Sequence, residues 1–98
     1  MYLKITEREG QRVVAVCDKE LLGKVFEEKG KVLDLQKYAY FYKGDIAGVG
    51  EVTEALSDFS SANLVGKKAV GLALVLGLAE KSEVKEIASI PHLQIYKL

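Results

Sequence analysis

The chain has no tryptophan, and only one proline, one methionine, one histidine and one cysteine among 98 residues. A lone cysteine cannot close an internal disulfide, and with a lone histidine it cannot furnish an ordinary zinc cage. Excess charge is missing too: 14 Lys+Arg offset 14 Asp+Glu. A basic coat over the whole surface is thereby excluded, while a local basic patch is not. Long apolar runs are also absent. The longest uncharged stretch near the C-terminus, Ala69 to Ala79, is 11 residues, against the ~20 that a bilayer span needs. Met1 to Arg8 is charged and strand-like, without the apolar core of a signal peptide. The expectation is a cytoplasmic protein with a reduced thiol, no membrane association, no cofactor and no metal.

What is present is a hydrophobic fraction of 49%, enough for one modest core and too much for a disordered chain. The length predicts a single domain over 1–98. Alternation predicts a strand over Tyr2 to Glu9, with Leu3 and Ile5 on one face and Tyr2, Lys4, Thr6 and Arg8 on the other. Glu9-Gly10-Gln11 is a turn, and Arg12 to Cys17 is a second, central strand that completes a hairpin. Asp18 is positioned to cap a helix bearing Leu21, Leu22, Val25 and Phe26, which Gly30 ends. Lys31 to Gln36 reads as a short strand, and Tyr38 to Tyr42 as a strand rich in aromatics.

Val52, Ala55, Leu56 and Phe59 recur at i, i+3, i+4 and i+7, an amphipathic helix over Glu51 to Phe59. Ser60-Ser61 stops it and caps a long helix from Ala62 to Ala79, about 27 Å at 1.5 Å per residue. Ala62, Gly66, Ala69, Ala73 and Gly77 would share one narrow sector of it, a stripe that packs on a sheet or forms the seam of a homodimer. Val84 to Ile90 is a strand or short helix, and His92 to Leu98 a terminal strand with Leu93 and Ile95 inward. The expected fold class is α/β (α+β): a single small mixed sheet with an N-terminal hairpin, three helices and a C-terminal strand.

Two places could bind a partner. One is the start of the long helix, where Ser60, Ser61, Asn63, Gly66, Lys67 and Lys68 would surround an anion with unpaired amides and the positive dipole end. Capping serines and solvated lysines are the plainer account of the same residues. Gly66-Lys67-Lys68 lacks the upstream glycine and the following Ser or Thr of a phosphate loop. The other is a sheet face on which Tyr38, Tyr40 and Tyr42 join Lys4, Arg8, His92, Gln94 and Tyr96. Bases stack on such faces while cations meet phosphates, although tyrosines at a core edge with wet hydroxyls would look the same. Cys17 reads as a buried small hydrophobe, and His92 is the one base that could activate it, so no catalytic residue is assigned. Ile90-Pro91-His92 is a rigid turn or a cis bond. A helix-turn-helix is excluded because the second helix lacks a polar face.

Several segments together resemble one family. They are Cys17-Asp18 followed by Leu22-Gly23-Lys24 and Phe26; Phe41-Tyr42-Lys43-Gly44; Ser61-Ala62-Asn63-Leu64-Val65-Gly66 with Ala69-Val70; and Ile90-Pro91-His92-Leu93-Gln94-Ile95. In this order, over nearly the whole chain, they are similar to the archaeal Domain of Unknown Function 424 family. The resemblance implies a small α/β protein of the archaeal cytosol, loosely linked to RNA binding or translation. Its motif positions Asn63, Gly66, Pro91, His92 and Gln94 are candidates, and it carries over no catalytic residues. Lys67 stands where the family pattern is often acidic, so no family role passes to that lysine. The first expectation is therefore a binding module for RNA or ribosome-associated factors. The alternative is a small enzyme or anionic-ligand domain using Ser60 to Lys68 and the His92 turn.

Overall fold

The N-terminal hairpin forms where alternation predicts it. In the computed structural model, which describes residues 1–97, β1 (Tyr2–Arg8) pairs antiparallel with β2 (Gln11–Cys17) through a turn in which Glu9 and Gly10 hold φ of 53° and 78°. That mirror-image turn suits the right-handed twist of the strands. Leu3 is half-buried, but Ile5, expected inward, is exposed.

The helix expected after Asp18 is instead a 3₁₀ turn (Lys19–Leu21) and a second hairpin, β3 (Val25–Glu28) and β4 (Lys31–Asp34). Its reversal is Lys29-Gly30, with φ of 50° and 80°. Gly30 therefore turns a hairpin and does not cap a helix. The expected tyrosine strand is a one-turn helix, α1 (Ala39–Tyr42). The cause lies just upstream: Asp34 Oδ1 accepts from the amides of Gln36 (3.1 Å) and Lys37 (2.8 Å), folding the chain out of β4. The two-residue β5 (Asp45–Ile46) then pairs with β1.

α2 (Val49–Ala55) buries Val52 and Ala55 as its spacing predicts, with Leu56 and Phe59 buried just beyond. The largest correction follows. Ser61 to Val65 is a strand, β6, running parallel to β2 at the middle of the sheet. The helix α3 begins only at Lys67 and ends at Val75. Gly66, at φ 108°, cannot belong to a helix. Gly77, at φ 74°, terminates it: Leu78 N–H reaches Ala73 O and Gly77 N–H reaches Leu74 O, both at 3.0 Å. The stripe of small residues is thus split. Ala69 and Ala73 pack α3 onto the sheet, Ala62 lies within the sheet, and Gly66 and Gly77 bound the helix.

The segment before the last strand contains a 3₁₀ turn (Lys81–Glu83) and β7 (Lys85–Ile87). β8 (Ile90–Tyr96) closes the chain; Ile90-Pro91-His92, expected as a turn or a cis bond, is neither, since it lies within this strand with every peptide bond trans among the described residues, and the reversal falls at Ala88-Ser89. Leu98, expected to end this strand, lies outside the described residues.

The result is a mixed α+β fold with three helices, a six-stranded sheet in the order β5-β1-β2-β6-β8-β7, and a separate two-stranded sheet. The expected single sheet is therefore two. α2 and α3 cover one face of the large sheet over a core that includes Val14, Val16, Val52, Leu56, Leu64, Val70 and Leu93. The opposite face is covered over part of its extent by the β3–β4 hairpin, where Leu21, Leu35, Cys17 and Val65 form a second, smaller core.

Candidate functional site: the open face of the sheet

Strand side chains alternate between faces, so the register decides which residues look outward together. Across four of the six strands, Lys4 pairs with Ala15, Ala15 with Asn63, and Asn63 with Gln94. Thr6, Val13, Ser61 and Tyr96 form the next row, and Cys17, Val65, His92 and Lys85 the row on the other side. All share the face that carries the hairpin, as does Arg8 by alternation along β1. The carboxylates of this sheet, Glu7, Asp45 and Glu86, have the opposite parity. Glu7 there binds Arg12 at 2.6 Å. One face of the sheet thus carries Lys4, Arg8 and Lys85 with no acid among its strand residues.

α1 stands on this face. The Lys4 ammonium donates to Tyr40 O, which ties the helix over β1. On one side of α1 a cleft of about 380 Å³ has Asn63 and Gln94 in its lining, with Tyr38, Tyr40, Phe41 and Tyr42 among its walls. On the other side Tyr40 and Phe41 meet Lys4, Thr6, Arg8, Glu9 and Gln11 around a second cleft of about 450 Å³. Tyr40 and Tyr96 are each 68% exposed, more open than an aromatic whose task is core packing. Tyr42 differs. It packs with the second core, edge-on to Phe41 at 5.1 Å, and burial pushes its hydroxyl up to about 12.

The anion site expected at a helix start does not assemble. Ser60 lies at the opposite end of β6 from Lys67, its hydroxyl accepting from Arg12 N–H at 3.0 Å. Ser61 and Asn63 project from a strand, and only Lys67 and Lys68 belong to the helix start. Two of the amides there are already taken. Asp18, 2% exposed, accepts from Lys68 N–H at 3.0 Å through Oδ2 and from Ala69 N–H at 2.9 Å through Oδ1. Asp18 does cap a helix, but the one some 50 residues downstream, not the one expected to follow it. Gly66 makes room for this, because a Cβ there would overlap the Asp18 carboxyl. Gly66 N–H in turn donates to Pro91 O at 2.9 Å. Three of the segments singled out in the sequence, around Asp18, Gly66 and Pro91, therefore meet in one structural junction.

His92 lies half-buried on the open face beside Lys85. Burial first, and that lysine second, hold its imidazole below the ordinary value, which favours the neutral ring. Cys17 is fully buried, and desolvation, with Asp18 adding to it, pushes its thiol up to about 12. A thiol so protonated is no nucleophile at neutral pH. Among the described residues no group of three or more His, Cys, Asp or Glu gathers in metal-binding geometry, and no helix is long and apolar enough to cross a membrane. The sequence reading missed Phe41 as a cleft wall and Asp34 as the residue that turns the tyrosines into a helix. The Asx pattern Asp34-Leu35-Gln36-Lys37 was the available signal for the latter.

Fold and site define a class: a small α+β protein whose mixed sheet is packed by helices on one side and presents on the other a polar, aromatic face with no acid among its strand residues. The family described as "Protein of unknown function (DUF424)" matches residues 6–98, and the chain belongs to it. A crystal structure of an uncharacterized conserved protein from Methanopyrus kandleri is similar to it in fold. The TM-score is 0.78 at 28% identity, over 97% of this chain and 89% of that one. No curated protein matches.

Proposed function

We propose that the open face of the large sheet binds a single-stranded segment of RNA. The observation that carries this reading is the segregation of charge by strand parity: the acids Glu7, Asp45 and Glu86 on the packed side, Lys4, Arg8 and Lys85 on the open side. Exposed Tyr40 and Tyr96 supply planar faces on which bases stack, and cations at the flanks meet phosphates. Zero net charge fits this picture, because attraction comes from one face and not from the whole molecule. The family resemblance read from the sequence points to the translation machinery as the source of such a strand. Co-purification with ribosomal RNA or a ribosomal subunit tests that part.

The direct test is fluorescence anisotropy with short labelled RNA at low salt. Binding is expected, and Lys4→Ala with Arg8→Ala should weaken it about tenfold or more. Absence of binding to any single-stranded RNA at low salt overturns the reading. The alternative, a small enzyme or anionic-ligand domain at Ser60 to Lys68 and the His92 turn, loses its main support because Asp18 occupies the α3 amides.

A further inference from the structure

The two clefts beside α1 differ in chemistry. The one around Lys4 and Arg8 carries two cations against one carboxylate, Glu9. The one over Asn63 and Gln94 has no cation in its lining, and its one carboxylate, Asp34, spends Oδ1 on the amides of Gln36 and Lys37. A phosphate has nothing to meet there. A neutral planar group does: Tyr38, Tyr40 and Phe41 offer aromatic walls, and two carboxamides face out side by side. Asn63 and Gln94 are direct partners across β6 and β8, a placement that brings Cβ atoms within about 5.5 Å. None of the side-chain hydrogen bonds among the described residues uses either amide.

Two free carboxamides under aromatic walls match the edge of a nucleobase. An Asn or Gln amide offers an acceptor and two donors, and it pairs with adenine through two bonds, to N6 and N7. Guanine is the base read by Arg or Lys, and cytosine the one read by free carboxylates. This cleft has no cation for the first, and its one carboxylate, Asp34, has Oδ1 held by its own backbone, whereas both carboxamides are free. Its size, about 380 Å³, falls within the range of small-ligand pockets. We infer that this cleft seats one adenine base against Asn63 and Gln94, with the attached backbone running to Lys4 and Arg8. The inference rests on the strand-binding reading above and adds to it a base preference and the residues that read it.

The experiment uses the full chain with labelled oligo(A) and oligo(U) hexamers and with AMP. Oligo(A) should bind about tenfold tighter than oligo(U), and AMP more weakly than oligo(A). In Asn63→Ala/Gln94→Ala, oligo(A) binding should fall to the level of oligo(U), so that the preference vanishes. Because that variant could fail to fold, a second measurement uses the unaltered protein: the side-chain NH₂ resonances of Asn63 and Gln94 should shift on adding AMP, and not on adding UMP. Equal binding of the two hexamers with unmoved amide resonances overturns the base seat and leaves strand binding standing. AMP shifting both amides while neither hexamer binds overturns strand binding and keeps the base seat for a free nucleotide. Silence from every probe overturns both.

Discussion

Asp18 shows how a residue can be chosen correctly for a capping role and still be assigned to the wrong partner. Its type and position suggest a helix cap, but the amides it accepts from belong to Lys68 and Ala69. Only the parallel pairing of β2 with β6 brings those amides to it, and nothing local in the sequence encodes that pairing. Asp18→Ala would leave the two donors short of partners in a buried setting and should cost about 1–3 kcal/mol in urea-induced unfolding. Gly66→Ala should cost more, since the new methyl both strains a φ of 108° and displaces the Asp18 carboxyl. If Gly66→Ala proves as stable as the parent, the junction of Asp18, Gly66 and Pro91 has little energetic weight. The buried thiol gives a pH signature with a definite sign. The folded protein holds the Cys17 proton up to about 12, whereas the unfolded chain releases it near 9.0. Stability should therefore fall as pH rises from 9 towards 12, with a limiting slope of about 1.4 kcal/mol per pH unit from this group. Cys17→Ala should flatten that limb. His92 acts at the acid end. Its lowered value means that the unfolded chain takes up a proton first, so stability is lost as pH falls below about 6.5, and His92→Gln should reduce the loss.

At the scale of elements, the legible parts were those whose pattern has one reading. The β1–β2 hairpin falls where alternation places it, and α2 overlaps the expected Glu51 to Phe59, although it begins at Val49 and ends at Ala55. The errors cluster where an apolar run suits two structures. Ala62, Leu64 and Val65 are as compatible with a buried helix as with a central strand, and only the φ of Gly66 separates them. Likewise Leu21 to Phe26 has helical spacing, yet Gly23 at φ 89° and the Lys29-Gly30 turn commit the segment to a hairpin. The tyrosine segment has strand propensity but follows an Asp34 turn, and a four-residue helix needs few favourable contacts to override so weak a preference. The β7–β8 hairpin shows the converse, a turn held against local preference. Ala88 and Ser89 reverse it with φ of 52° and 65°, neither being glycine or asparagine. Such positions cost of order 1 kcal/mol each. Ala88 N–H is held by Glu28 Oε1 at 2.7 Å, which ties this turn to the small sheet. Ser89→Gly should thus raise the melting temperature by a few degrees. A fall would mean that the serine side chain makes a contribution larger than the strain it carries.

At the scale of the whole molecule, the distribution of charge says more than its sum. Zero net charge excluded a basic coat, but it concealed a sheet whose two faces differ by parity. Alternation groups Lys4 with Arg8 and His92 with Gln94 and Tyr96, but only the β1-β2-β6-β8 register puts the two groups on one face, and the tyrosines reach that face on a helix. Strand order could not be read, since the parallel β2–β6 pair is joined by a connection that holds a hairpin, two helices and an edge strand. Charge on the open face leads to a quantitative expectation. Single-stranded binding loses about 0.7 in log–log salt slope for each phosphate neutralised. With Lys4, Arg8 and Lys85 on that face, the slope for a short RNA should be about −2. Removing Lys4 should make it shallower by about 0.7. Lys67 and Lys68, which belong to α3 on the packed side, should leave the slope unchanged when replaced by alanine. Titrations at four or five salt concentrations with Lys4→Ala and Lys67→Ala separate the two surfaces. A slope that responds to Lys67 and ignores Lys4 would move the nucleic-acid contact to the helical side and leave the open face of the sheet without this role.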